Sequence, residues 1–464
     1  MLTFGDIEPD QLDCIDFIDS GEDSLICADV GTGKTVISLT AAIHSLQKGE
    51  VKRWLVLAPL LVATDTWALE AVEWEHLKGT KVDIACGNEN ERLDAIGSTA
   101  PIVVMNYENL AWLMDRYPKP RKGKPETFPF DGLICDEIDK LKDVSSERFK
   151  SFRNRIGVFR KRIGLTGTLL PNRLEEVWGQ AYMIDGGASF GRSFYAWRRE
   201  YFYPTDFNQH NWAPFPNTRA DILDKLGGLV YRLKAKGLPE VVMVEPYKMQ
   251  LPETVRAHYS KLDNDFYLAL EDKKGRTREV DAANSAVLSG KLQQICAGFS
   301  YVDKGKEAVW HSDARFHWLM GRMSKHLGSQ FLIFYHFNAE LEELRKWLPY
   351  IKILGKGTSN KAARKNIADW NSGKLRELAL HPASAGHGLN LQKSNAHHIA
   401  FLTMPWSGGM FKQVVGRLAR RGNKAAKIYV HTALFENTVD MDVYDSVTGK
   451  MSRLESFLDD LGDA

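Results

Sequence analysis

The 464 residues lack the frameworks on which secreted and membrane proteins are built. The five cysteines (Cys14, Cys27, Cys86, Cys135 and Cys296) form no C-x-x-C pair, which argues against a zinc ribbon or disulfide scaffold and for a reducing compartment. No apolar run approaches the roughly 18 residues a membrane helix needs. The opening MLTFGDIEPD is acidic where a signal peptide would be basic and then apolar. A soluble, cytoplasmic chain without a membrane partner is therefore expected. An excess of one charge is missing too: 61 Lys plus Arg against 59 Asp plus Glu leave +2, so any contact with nucleic acid must come from local basic patches. No fixed-period repeat is present. What remains, 44% hydrophobic and 26% charged, is ordinary globular composition, and the length suggests about three units.

Short β-rich runs alternate with helix-length segments: SLICA before VISLTAAIHSLQ, RWLVLAP before TWALEAVEWEHL, then KVDIACG, PIVVMNY, GLICDE and RIGLTGT. Such runs, separated by helices, predict a parallel sheet covered on both faces, and residues 1 to about 170 read as one α/β domain. A second series from about 330 (QFLIFYHF, IKILG, RELALHPAS, HHIAFLTM, AKIYVHTAL) predicts a second parallel sheet. Between them Phe194, Trp197 and Tyr201 fall at i, i+3 and i+7, the spacing of a helix's core face. Arg192, Arg198 and Arg199 interleave with these rings, a pattern that also fits a nucleic-acid platform.

ADVGTGKT, Ala28 to Thr35, joins a strand to a helix and nearly matches the phosphate loop G-x-x-x-x-G-K-[ST]. Gly31, Thr32 and Gly33 would turn backbone N–H groups toward phosphates, Lys34 would neutralise them, and Thr35 would ligate Mg²⁺ through its hydroxyl. The bland alternative is a tight turn with no ligand. GLICDEID weighs against it, because Asp136 and Glu137 end an apolar strand, where Asp136 can hold Mg²⁺ and Glu137 can polarise a water. Gln11, ahead of the first strand, carries the donor and acceptor that match an adenine edge. Farther on, Gln413, Gly416, Arg417 and Arg420 fall at i, i+3, i+4 and i+7, one face of a helix. There the arginines are either a solvated basic face or guanidinium groups that stabilise a transferring phosphoryl group.

Taken in order, these segments resemble the superfamily-two helicase motors, within them the SWI/SNF-type DNA translocases. The resemblance runs from Gln11 through ADVGTGKT, LVLAPLLV with Trp67, VVMNYENL, DEID with Lys142, LTGT with Asn172, RLKAKGLPEV, LQQICAG, LIFYHF and ASAGHGLNLQ to QVVGRLARRG. It implies two tandem RecA-like parallel-sheet lobes with helical protrusions: residues 1–235 with a protrusion at about 174–235, and 236–464 with an insertion at about 251–300. It further implies that Gln11, Gly31, Thr32, Gly33, Lys34, Thr35, Asp136 and Gln413 bind MgATP, with Thr35 and Asp136 on the metal. Lys34, Glu137, Arg417 and Arg420 would hydrolyse it. Pro59, Asn106, Tyr107, Thr166, Thr168, Ser384, Gly388 and Asn390 would grip a DNA backbone and sense the nucleotide.

The implied activity is a DNA-dependent ATPase that translocates along duplex DNA. A strand-separating helicase on DNA or RNA and a catalytically inactive nucleic-acid scaffold are the alternatives. A monomeric motor, directed by an unidentified protein partner in a bacterial or phage-infected cell, completes the expectation. Departures from the family pattern are Asp139 for the frequent His and Leu169 for the Pro usual after LTGT. The stretches PKPRKGKP (118–125) and RFKSFRNRIGVFRKR (148–162) read as solvated surface or accessory DNA contacts. His381, His387, His397 and His398 lack acidic or Cys companions at metal spacing and read as structural.

Overall fold

Runs of Leu, Ile, Val and Cys bounded by Gly, Asp and Pro become strands covered on both faces, as the missing in–out alternation requires. The computed structural model describes residues 2–29, 31–60, 62–121, 123, 125–167, 169, 173–271, 277–281, 285–302, 307–355, 357–382 and 389–462. It divides into two units rather than the three that length suggests: Met1–Lys236 with Ser452–Ala464, and Gly237–Met451.

The first unit carries β1 (Asp23–Ala28), β2 (Trp54–Ala58), β3 (Val82–Ile84), β4 (Ile102–Asn106), β5 (Gly132–Asp136) and β6 (Lys161–Thr166). A hairpin of β7 (Phe202–Pro204) and β8 (Trp212–Pro214) follows, then β9 (Val230–Leu233). Its main sheet has the order β3-β4-β2-β5-β6-β1-β9, every pairing parallel. Leu25, Ile26, Cys27 and Ala28 of β1 are fully buried. At about 1.5–3 kcal/mol for each large apolar side chain, such strands are held by burial as much as by pairing. Parallel register then puts the last residues Ala28, Ala58, Asn106, Asp136, Thr166 and Leu233 along one edge. β9 was not foreseen: it pairs with β1 from Leu25↔Val230 to Ala28↔Leu233 and returns the chain to the sheet after the protrusion.

The second unit carries β10 (Glu240–Met243), β11 (Tyr247–Met249), the hairpins β12 (Tyr267–Glu271)–β13 (Thr277–Asp281) and β14 (Phe299–Val302)–β15 (Glu307–Trp310), and then β16 (Phe331–Phe334). β17 (Lys352–Leu354), β18 (Glu377–Leu380), β19 (His398–Phe401) and β20 (Lys427–Phe435) follow. The order β10-β20-β19-β16-β18-β17, with β11 also beside β20, is again parallel throughout.

The segments at 174–235 and 251–300 are not purely helical. The first holds helices Glu176–Asp185, Phe194–Tyr201 and Thr218–Leu226 around the β7–β8 hairpin. The second places the β12–β13 hairpin between helices Glu253–Asp265 and Ser285–Cys296. Trp197 and Tyr201 are core residues, packed with Phe190 and Phe202. Arg198 Nε donates to Glu175 Oε1 at 2.5 Å and the guanidinium lies 4.3 Å from the Trp212 ring, so it serves the fold. The stretch 148–162 also turns inward in part: Arg155 and Lys161 are buried against Glu126 and Glu50, and Arg162 binds Asp23 with both contacts at 2.6 Å. All five cysteines are buried and none is in a disulfide, and no helix among the described residues is long and apolar enough to cross a membrane.

Candidate functional site

The loop after β1 needs left-handed backbone twice, with φ of 87° at Gly31 and 81° at Gly33, which glycine alone adopts cheaply. Gly33 is needed for space as well, since a Cβ there would stand 2.4 Å from Gln11 Nε2. That amide donates to the Thr32 carbonyl at 2.7 Å, while Gln11 Oε1 accepts from the Glu8 N–H at 2.9 Å. Gln11 thus ties helix Pro9–Ser20 to the loop. From the other side Arg232 of β9 donates to Asp29 Oδ1 at 2.9 Å and to the Cys27 carbonyl at 3.2 Å, and the Ala235 N–H reaches Asp29 Oδ2 at 3.1 Å. The loop is fixed at both flanks before helix Lys34–Gln47 begins. The first N–H groups of that helix have no carbonyl one turn back and carry the positive end of its dipole.

Opposite the loop lies a group of acids, Asp136 buried and Glu137 and Asp139 half-buried. Asp136 closes β5, and Glu137 sits at φ 57°, an uncommon setting for a residue with a side chain. Lys34 Nζ lies 3.4 Å from the Ala28 carbonyl and 3.9 Å from Glu137 Oε1. Trp67 Nε1 donates to Asp136 Oδ2 at 3.1 Å, and the Tyr107 hydroxyl donates to the Asp136 carbonyl at 2.9 Å. Burial first and Glu137 second push Asp136 up to about 6 and Asp139 up to about 7, against the pull of Lys34. Among the described residues, Glu137 Oε2 and Asp139 Oδ1 are buried without hydrogen-bond partners. Helix N–H groups and an ammonium on one side, with unsatisfied carboxyl oxygens on the other, suit an anion and a cation bound together. The residues present therefore fit a magnesium–nucleotide pair, with Thr35 and Asp136 able to take the metal.

Four of the residues expected to grip nucleic acid, Pro59, Asn106, Tyr107 and Thr166, are buried. Pro59, Asn106 and Thr166 sit buried at the carboxyl edge, and the Asn106 amide donates to Glu108 Oε2 at 2.9 Å and accepts from Asn109 Nδ2 at 2.6 Å. Tyr107 corrects the expectation: its ring is 2% exposed, and its hydroxyl props up β5 instead of facing a backbone. Thr168, Ser384 and Gly388 lie outside the described residues. Asn390 is exposed and its Oδ1 accepts from Arg420 at 3.2 Å.

A second correction concerns the arginines. Helix Gly408–Val415 holds Gln413 but stops before Arg417, and turn bonds such as Arg417 N–H to the Val414 carbonyl, 3.1 Å, carry the chain on. Arg417 is buried and Arg420 half-buried, so the two do not share one helical face. Gly416, which caps the helix, weakens its continuation.

The DEAD/DEAH box helicase family matches residues 8–177 and the helicase conserved C-terminal domain residues 314–422. Protein p41 of Acyrthosiphon pisum secondary endosymbiont phage 1 is 31% identical over 457 residues, 92% of each chain. The chain belongs to the superfamily-two helicases. The motor is 27% identical to the chromodomain-helicase-DNA-binding protein 3 homolog of Caenorhabditis elegans across 61% of its own length but only 16% of that protein's. The SWI2/SNF2 ATPase core of Sulfolobus solfataricus, solved in complex with dsDNA, has a TM-score of 0.44 and 17% identity, with 97% of this chain and 92% of that one covered. The motor is an ATP hydrolase of the helicase type.

Sequence reasoning missed the props of the motor's site. Trp67 and Tyr107 were legible as members of their segments, not as partners of Asp136, and Arg232 as part of the junction, not as the anchor of Asp29. A basic residue on a strand that pairs with the loop's own strand was the signal available for the last.

Removing one partner of a buried pair costs about 3 kcal/mol. Arg232 and Asp29 are only partly buried, so Arg232→Ala is expected to lose less than that in urea melts and to raise KM for ATP more than it lowers kcat; an unchanged KM contradicts the anchoring role. A carboxyl raised above its ordinary 3.8 stabilises the fold while protonated, and that contribution is lost as pH rises through about 6 for Asp136 and about 7 for Asp139. Nucleotide-free wild type should therefore lose thermal stability across that window, and Asp139→Asn should lose less. Equal slopes in pH-dependent melts would count against this electrostatic picture.

Proposed function

We propose that the motor hydrolyses MgATP at the carboxyl edge of its first sheet and uses the cycle to move along duplex DNA, remodelling DNA structures or displacing bound factors. The observation that carries the nucleotide half is the convergence of the Gly31–Gly33 loop and Lys34 with the acids, at 3.9 Å from Lys34 Nζ to Glu137 Oε1. In this reading Lys34 and the helix N–H groups hold the phosphates, and Gln11 and Gln413 face the nucleotide. Thr35 and Asp136 hold Mg²⁺, which when bound neutralises phosphate charge. Glu137 takes the proton of the attacking water, its free oxygen being buried and available. Arg417 and Arg420 act on the charge of the transferring group, a role worth about 10³–10⁵ in rate.

The DNA half draws support from the name of the C. elegans relative, a DNA-binding helicase. The grip would run through phosphates, with Pro59, Asn106, Thr166, Thr168, Ser384, Gly388 and Asn390 coupling it to the nucleotide, and binding would weaken steeply with salt. The phage origin of p41 supports a motor that works in the cytoplasm of a bacterial or phage-infected cell. We also propose that it acts as a monomer directed by a protein partner. One observation favours strand separation as a second reading: Phe207, in the β7–β8 hairpin loop, is 101% exposed, as a wedge would be.

Lys34→Ala should abolish ATP hydrolysis, and wild-type hydrolysis in that variant would remove the assignment. With wild type, duplex DNA should stimulate hydrolysis more than single-stranded DNA or RNA, and triplex displacement should occur without fork unwinding. Fork unwinding that disappears in Phe207→Ala, with no triplex displacement, would decide for the second reading.

A further inference from the structure

Three histidines distant in sequence meet in the second unit, none of them among the residues assigned to ATP. His326 follows helix Ala314–Ser324, His398 opens β19, and His431 lies within β20. In the parallel register His398 stands opposite Tyr429, and Ala400 opposite His431. The period of two therefore puts His398, Tyr429 and His431 on one face. His398 Nδ1 and His431 Nε2 are 2.9 Å apart, and one ring nitrogen from each of the three histidines lies within 4.8 Å of the others. His398 is 3% exposed and His431 2%, while His326 is half-buried. Phe331 stacks on His398 at 4.8 Å and 9°, which fixes the ring plane. His431 Nδ1 is buried and has no hydrogen-bond partner among the described residues.

We propose that His326, His398 and His431 form a binding site for a borderline divalent transition-metal cation, of which Zn²⁺ is the type. Three imidazoles suit Zn²⁺, Co²⁺, Ni²⁺ or Cu²⁺ and not the oxygen-seeking Mg²⁺ or Ca²⁺. With metal–nitrogen bonds of about 2.0–2.1 Å, tetrahedral ligand nitrogens stand about 3.3 Å apart, within reach of small ring rotations from the spacing here. Burial keeps all three rings neutral, as ligands must be. Half-exposed His326 leaves the fourth position to water. Arg322, Lys325 and His397 are the charged or titratable groups that act on the cluster, with no carboxylate among them. The ion's charge is thus opposed, and the site is weaker than one bearing an acid. His326 precedes β16 and His398 starts β19, so the ion would pin the amino ends of adjacent strands, a structural staple rather than part of the ATP site.

The experiment uses the untagged full chain, stripped with chelator and titrated with Co²⁺. One Co²⁺ per chain should bind with the visible absorption of a tetrahedral centre, yield to Zn²⁺, and raise the melting temperature. His326→Ala removes a partly exposed ring without emptying the core and should weaken binding about tenfold or more. His397→Ala removes the adjacent ring and should leave binding as it was. No tetrahedral band in wild type, unchanged binding in His326→Ala, or lost binding in His397→Ala would each overturn the site.

Discussion

Parallel pairing of β1, β6 and β5 is the constraint on which the chemistry rests. Strands in parallel, buried on both faces, must send their connections back through covering helices, so every strand ends on the same edge. The loop after β1 and the acids after β5 therefore meet with one strand between them. The geometry does not depend on any contact that the loop and the acids make with each other. What the edge adds is a set of braces: Gln11 and Arg232 on the loop, Trp67 and Tyr107 on Asp136. These hold charged groups where their mutual repulsion and burial would otherwise move them, and the raised Asp136 and Asp139 record that tension.

Much of this was legible in the sequence. The runs SLICA, RWLVLAP, PIVVMNY, GLICDE and RIGLTGT became β1, β2, β4, β5 and β6, because short, largely apolar runs bounded by polar residues have few other ways to be buried. The glycine turn after β1 and the acids at the end of β5 were legible because a positive φ dictates glycine and the apolar run of β5 marks where the strand stops. β9 was not, since Val230–Leu233 is short and half-polar and gains its identity from pairing with β1. Nor was the end of helix Gly408–Val415, where periodicity continues through a glycine that the backbone does not follow. Tyr107 shows the same limit: its place in a shared segment said where it sits, and only the fold says that its hydroxyl points inward.

The histidines of the second unit make the point from the other direction. His398 has only another histidine beside it, and His326 and His431 are far along the chain, so no spacing rule could have joined them. Parallel register did, by setting β19 against β20 and the start of β16 against the start of β19. Convergence of this kind is invisible to motif reading.

The central claim is that the edge between β1 and β5 is a nucleotide site. Hydrogen–deuterium exchange of the full chain with and without MgADP tests it most directly, because the loop's own N–H groups are the proposed ligands. Slowed exchange at residues 29–37 and at the segment around Asp136 and Glu137 is the predicted result. Unchanged exchange there, at MgADP concentrations that fully inhibit ATP hydrolysis, would contradict it.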